Sequence, residues 1–188
     1  AHLTVILEET RLLVRLVEDL RTLALAESGA LKLQREQTDL GALAGETVAS
    51  FQGQAASAGL TLVAVIPADL PPIDVDPVRI RQVLENVIVN ALGFTPAGGQ
   101  VSVRCYMAAS DGERRLAVDV HDTGPGIPPE DLPHVFERFY KSKDSHGSGL
   151  GLTIARNLVI AHGGEIVAQS EVGRGTTIQI RLPVTFRS

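Results

Sequence analysis

Asn86 and Asn90 stand four residues apart in a stretch with helical periodicity, so their carboxamides share one face about one turn from each other. A neutral carboxamide oxygen suits Mg2+, an ion that keeps its waters and takes most of its charge compensation from phosphate oxygens. Further along, Asp122 follows a β-rich run and precedes Thr123-Gly124-Pro125-Gly126-Ile127. A carboxylate at a strand end accepts a hydrogen bond from an exocyclic amine, and glycines beside it let a planar base approach the backbone. Gly147-Ser148-Gly149-Leu150-Gly151-Leu152 then opens a helical pattern. Backbone N–H groups freed of side-chain bulk at a helix start form an anion site. The glycine spacing is neither that of a Walker A loop, which needs Gly-Lys-Ser/Thr, nor that of a dinucleotide fingerprint. In this order the three groups describe a nucleotide site built without a P-loop.

The elements that must position them are legible in outline. Residues 3–27 read as one amphipathic helix, with Ile6, Leu13 and Leu20 seven apart and Leu16, Val17 and Leu23 between. Such a stripe needs a partner to bury it. Ser28-Gly29 supplies a stop, and residues 30–38 read as a linker with an extended piece at Leu31–Leu33. Asp39 is placed to cap a helix that Gly59 ends. Strands are expected at Leu60–Ile66 and Ile73–Val75, and Asp76-Pro77 opens a helix that ends before Pro96. Val101–Met107 and Arg115–His121 read as strands joined by the Ser110-Asp111-Gly112 turn. Residues 123–148, rich in Gly, Pro and Ser, are too long for a plain connection and so read as functional. A helix over 149–162 ends at Gly163-Gly164, and strands Glu165–Ser170 and Thr176–Leu182 flank the Gly173-Arg174-Gly175 turn.

Composition bounds the rest. At 188 residues with 44% hydrophobic and 21% charged residues the chain can build a core. A net charge of −5 without a basic cluster speaks against nucleic acid. Cys105 is alone, so no intrachain disulfide forms. No apolar run reaches the roughly 18 residues of a membrane span; the segment is expected to be cytoplasmic without membrane contact, though a longer parent protein could be anchored.

Taken together with Phe136-Glu137-Arg138-Phe139-Tyr140, these motifs resemble the catalytic and ATP-binding domain of sensor histidine kinases, of the superfamily that also holds gyrase, MutL and the ninety-kilodalton heat-shock chaperones. The resemblance covers nearly the whole chain. It implies an α+β fold, a two-layer α/β sandwich of Bergerat type with a mixed sheet and helices on one face, preceded by one long amphipathic helix. Residues 1–29 would be the second helix of a dimerisation and phosphotransfer hairpin, 30–38 a linker and 39–188 the catalytic domain. Asn90 would bind Mg2+ and Asp122 the adenine amine. The matching nucleotide contacts would come from Asn86, Phe94, Gly124, Gly126, Ile127, Gly147, Ser148, Gly149, Leu150, Gly151, Leu152 and Thr176. Phe136 and Phe139 would anchor a lid over ATP, while Arg138 and Lys141 would meet phosphate. The cofactors implied are ATP and Mg2+. The partners implied are a phosphoacceptor hairpin on the same parent or a separate subunit, a response regulator, and a second copy in a homodimer.

Three positions refine the expectation. ATP-hydrolysing branches usually carry glutamate four residues before the Mg2+ asparagine; here that place holds Asn86, and an amide cannot act as a general base. Glu85 points about 100° away around the helix. Gly93 stands where the family usually has Lys or Arg, which leaves Lys141 or Lys143 to compensate. The phosphoacceptor motif is absent, since His2 is followed by Leu3-Thr4-Val5. The acceptor is therefore expected outside this chain. The competing readings are an ATPase or clamp module and a non-catalytic nucleotide-binding or docking module.

Overall fold

The structure, a computed structural model, describes residues 2–110, 113–141 and 148–184. The turn at residues 111–112, together with Lys143 and Gly147, lies outside the described residues. Helix α1 spans His2–Glu27, α2 Leu40–Ser57, α3 Pro77–Phe94 and α4 Gly151–Ala161. The strands are β1 Glu36–Thr38, β2 Thr61–Val65, β3 Ile73–Val75, β4 Gln100–Ser110, β5 Glu113–Asp122, β6 Glu165–Glu171 and β7 Gly175–Pro183.

Five strands form one sheet in the order β2-β4-β5-β7-β6. The β2–β4 pair is parallel and the other neighbours are antiparallel, so the sheet is mixed. Period-two alternation sends Val101, Val103, Val118, Val120, Ile178 and Ile180 inward, all 4% exposed or less. Helices α2, α3 and α4 cover that face with Leu43, Ile80, Leu84, Ile88, Ile154 and Leu158. The opposite face is polar: Arg104 donates to Asp119 at 3.1 Å and lies 4.9 Å over the Tyr106 ring.

Local chemistry explains the helix starts. Asp39 Oδ1 accepts from the Ala42 N–H at 2.9 Å, and Asp76 Oδ1 accepts from the Arg79 N–H at 3.1 Å with Pro at the first turn of α3. Among the described side chains of α1, Leu13, Val14, Val17 and Leu20 are 49–65% exposed, Leu16 is half-buried, and Leu23 enters the core beside α4.

Two expectations change. The extended piece at Leu31–Leu33 is not a strand. The strand falls at Glu36–Thr38 instead and pairs antiparallel with β3 in a separate two-stranded sheet. Its residues are polar and mostly exposed, so no hydrophobic alternation marked it. Helix α4 begins two residues later than expected, because Gly149 takes φ +71.

His162, 1% exposed, closes the end of α4. Its Nδ1 donates to the Leu158 carbonyl at 2.7 Å, and its Nε2 accepts from the Asp76 N–H at 3.0 Å, which requires the neutral ring. Burial pushes its pKa below the ordinary histidine range; Arg35 adds to this, while Leu158, Asp76 and Asp74 oppose it. A depressed value means stability that is present above the ordinary histidine pKa and is lost as pH falls through the lowered one. We expect the thermal midpoint to drop on mild acidification in the parent chain. In His162→Gln, which keeps an acceptor that does not titrate, that component should be flattened.

Candidate functional site

The site gathers the end of β5, the faces of α3 and α4 that meet, and the β6–β7 turn. Asp122 is 6% exposed, and its Oδ1 accepts from the Gly124 N–H at 2.8 Å and the Thr176 N–H at 3.3 Å. Both bonds fall on one oxygen, which leaves Oδ2 for an incoming donor. Burial raises the carboxyl pKa, and the two N–H bonds and His121 oppose that rise without cancelling it. A cavity of about 430 Å3 adjoins this aspartate, lined by Gly93–Pro96, Thr123–Pro125 and Gly173.

Backbone crowding fixes two glycines here. Gly126 has φ +75, and a Cβ on it would collide with the Glu171 carbonyl; Gly175 has φ +93, and a Cβ would collide with the Asp122 carbonyl oxygen. Gly175→Ala should therefore lower stability by on the order of 3 kcal/mol, because a backbone carbonyl at the site must move. Urea unfolding measures it.

Ser170, which sequence reasoning missed, ties the turn together. Its Oγ accepts from the Ile127 N–H at 2.8 Å, donates to the Gly175 carbonyl at 2.9 Å, and lies 3.0 Å from Thr176 Oγ1. A lone strand serine carries no spacing signal that would have singled it out. Thr176 is 7% exposed, and its hydroxyl is engaged with Ser170 rather than standing clear.

Asn86 is 6% exposed and Asn90 half-buried, one turn apart on α3. Helix α4 packs beside them: the Cβ position of Gly151 lies 3.7 Å from Asn86 Cγ. The start of α4 carries no side-chain cap at Leu150, while Ser148 Oγ accepts from the Leu150 N–H at 3.3 Å. An uncapped first turn directs N–H groups toward an anion. Leu150 itself is buried core, and Leu152 is half-buried. The structure thus brings Asn86 together with the glycine-rich helix start, and Phe94 and Gly124 with the cavity beside Asp122.

The lid residues divide. Phe136 packs against the core, its carbonyl accepts from Thr153 Oγ1 at 3.0 Å, and Arg156 lies 6.0 Å over its ring. Phe139 is 63% exposed and so, among the described residues, does not pack into the core as Phe136 does, which corrects the expectation that both anchor the lid. It is held instead by its backbone, with φ +59 and its N–H donating to the Gly149 carbonyl at 2.9 Å. A side chain at Gly149 would press on that backbone, so the glycine permits the close approach. Arg138 and Lys141 are exposed on this segment.

Among the described residues no three His, Cys, Asp or Glu side chains converge as a metal cage. A carboxamide such as Asn90 fits Mg2+ only with phosphate as the remaining ligand. No helix of the described residues is long and apolar enough to cross a membrane.

Known proteins resemble this chain in sequence and in fold. The family described as histidine kinase-, DNA gyrase B-, and HSP90-like ATPase matches residues 75–185. The adaptive-response sensory kinase SasA of a Synechococcus strain is 33% identical over 180 residues, covering 94% of this chain and 47% of its own. The chain thus spans about half the length of that relative. Among solved structures, full-length ShkA in complex with AMPPNP superposes with a TM-score of 0.87 at 30% identity, over 100% of this chain and 39% of its own. The Acinetobacter baumannii histidine kinase AdeS follows at 0.79 and 27%, over 98% and 84%.

Proposed function

Because this chain belongs to the histidine kinase-, DNA gyrase B- and HSP90-like ATPase family, we propose that it is the ATP-binding catalytic part of a sensor histidine kinase. It would pass the γ-phosphoryl group of ATP to a histidine on a hairpin outside these residues. The observation that carries this reading is the meeting of Asn86 on α3 with Gly151 at the uncapped start of α4, in one site with the buried Asp122.

The roles follow from chemistry. Asp122 Oδ2 accepts from the adenine amine and sets base selectivity. The first-turn N–H groups of α4 receive phosphate oxygens. Asn90, assisted by Asn86, would hold Mg2+, which supplies charge neutralisation on the phosphates when bound. Lys141 and Arg138, both exposed, would meet phosphate from the lid segment. With little covalent work to do, the site acts by positioning and electrostatics. An incoming neutral imidazole nitrogen forms the P–N bond as the bond to the ADP oxygen breaks. Asn86 offers no base to activate water, which favours transfer over hydrolysis. A response regulator would then take the phosphoryl group, and a second copy of the parent would complete a homodimer. These reactions belong to the cytoplasmic side of such a parent.

Titration calorimetry with AMPPNP tests the reading: binding that strengthens with Mg2+ supports it, and no binding at protein-saturating nucleotide contradicts it. Gly93→Lys sharpens the test. Nothing lies within 4 Å of a Cβ at Gly93, so the longer side chain fits without strain. Restoring a phosphate-facing cation should raise affinity roughly fivefold, about 1 kcal/mol for one partly exposed charge. An unchanged affinity would show that position 93 does not face phosphate in this chain.

A further inference from the structure

Gln34 and Arg35 connect α1 to β1, and both are fastened to the ends of the two helices that carry the nucleotide site. The Gln34 N–H donates to Asp76 Oδ2 at 2.9 Å. Arg35 Nη2 donates to the Ala161 carbonyl at 3.0 Å, where the guanidinium also meets the negative end of α4. Asp76, 4% exposed, simultaneously caps α3 and donates its own N–H to the buried His162 that ends α4. One buried aspartate and one buried histidine thus join the connecting segment, the start of α3 and the end of α4. Immediately after, β1 pairs with β3. On the other side of the connection, α1 lies along α4 and buries Asp19, Thr22 and Leu23.

We propose that Arg35 and the Asp76–His162 pair are positioning residues that lock the joint between α1 and the ATP domain. The purpose of the lock rests on the kinase reading above; its geometry does not. Ser28-Gly29, with Gly29 at φ +66 and open space around it, ends α1 in a turn whose Ala30 and Leu31 N–H groups bond the Leu25 carbonyl, which holds the turn to α1 but by itself not to the ATP domain. The lock removes that freedom. It acts on the far ends of the rods that hold the site: α4 receives Arg35 at its last turn and carries the glycine motif at its first, and α3 is capped by Asp76 and ends at Phe94. Movement of α1 therefore carries the phosphate donor with it as one body. The Arg35 bond is also suited to release, since it ends on a carbonyl at a helix terminus, whereas the Gln34 bond ends on the buried Asp76 carboxylate.

Pulsed dipolar spectroscopy on this chain tests the lock. Nitroxides go on Glu18→Cys in α1 and Ala49→Cys in α2, both exposed, with unlabelled copies in excess so that only intrachain distances count. Cys105 is buried with its thiol pushed up to about 11, so it stays unlabelled. The parent should give one narrow distance distribution. Arg35→Ala should widen it about twofold with the thermal midpoint little changed, and Arg35→Lys, which retains a donor for the Ala161 carbonyl, should restore it. His162→Phe, which leaves the Asp76 N–H without its acceptor, should widen it as well. A broad parent distribution, an Arg35→Ala distribution as narrow as the parent's, or equal widening in Arg35→Lys would overturn the proposal. AMPPNP affinity measured on the same samples keeps the two readings apart: its absence would sink the nucleotide site while the distances still report the joint.

Discussion

Replacing Asn90 with alanine is expected to lower the rate of phosphoryl transfer about a thousandfold, the scale seen when one preorganised electrostatic group is removed. The side chain is half-buried on α3, one turn from Asn86, and it offers the neutral oxygen that a phosphate-bound Mg2+ requires. Its loss removes little packing, so the unfolding free energy from urea titration should change by less than about 1 kcal/mol. Affinity for nucleotide without Mg2+ should hardly change, whereas the gain in affinity on adding Mg2+ should vanish. That contrast separates ion binding from general damage. If Asn90→Ala keeps the Mg2+ dependence, the ion is held elsewhere and the role assigned to this residue is wrong.

The second large effect belongs to Asp122. In Asp122→Asn the carboxamide oxygen can still accept from Gly124 and Thr176, which turns its NH2 group toward the base. A donor then faces the adenine amine, and ATP affinity should fall about a hundredfold, near 2.7 kcal/mol. The same donor suits the carbonyl of guanine, so the preference for ATP over GTP should narrow in parallel. Stability should hold or rise. Burial lifts the native pKa of this carboxyl above its unfolded value, so its contribution favours the fold at low pH and is lost as pH rises through the raised value. An amide escapes that cost at neutral pH. Binding has the opposite slope: ATP needs the ionised carboxylate, so affinity should decline on acidification at a higher pH than an ordinary aspartate would give. Competition binding of a fluorescent nucleotide across pH, in parent and variant, measures both. A variant with undiminished ATP affinity would remove Asp122 from base recognition.

The chemistry-bearing residues were legible because they act through local sequence. Asn86 and Asn90 reveal their shared face by helical spacing. Gly126 and Gly175 mark turns by residue type, while the Glu171 and Asp122 carbonyls they approach emerge only in the fold. Strands β4, β5, β6 and β7 were legible as β-rich runs between turns, and α3 from Asp76-Pro77, whereas the mixed character of the sheet came with the resemblance and rests on the parallel β2–β4 pair. What stayed hidden depends on contacts distant in sequence. The Asp76–His162 bond joins residues 86 apart, and nothing near either one announces the other. Strand β1 is polar and owes its existence to β3 rather than to its own pattern. The resemblance had Phe139 anchor the lid with Phe136, whereas the residue is 63% exposed at φ +59 and its backbone N–H bonds the Gly149 carbonyl.

The central claim is a phosphoryl donor whose acceptor histidine lies outside this chain. Radiolabel transfer from γ-labelled ATP with Mg2+ addresses it directly, using the chain alone and with a separate hairpin that supplies the histidine. The account predicts acid-labile label on the added hairpin only, with slow hydrolysis in its absence. Label on this chain itself, or rapid ATP turnover without any transfer, would contradict it.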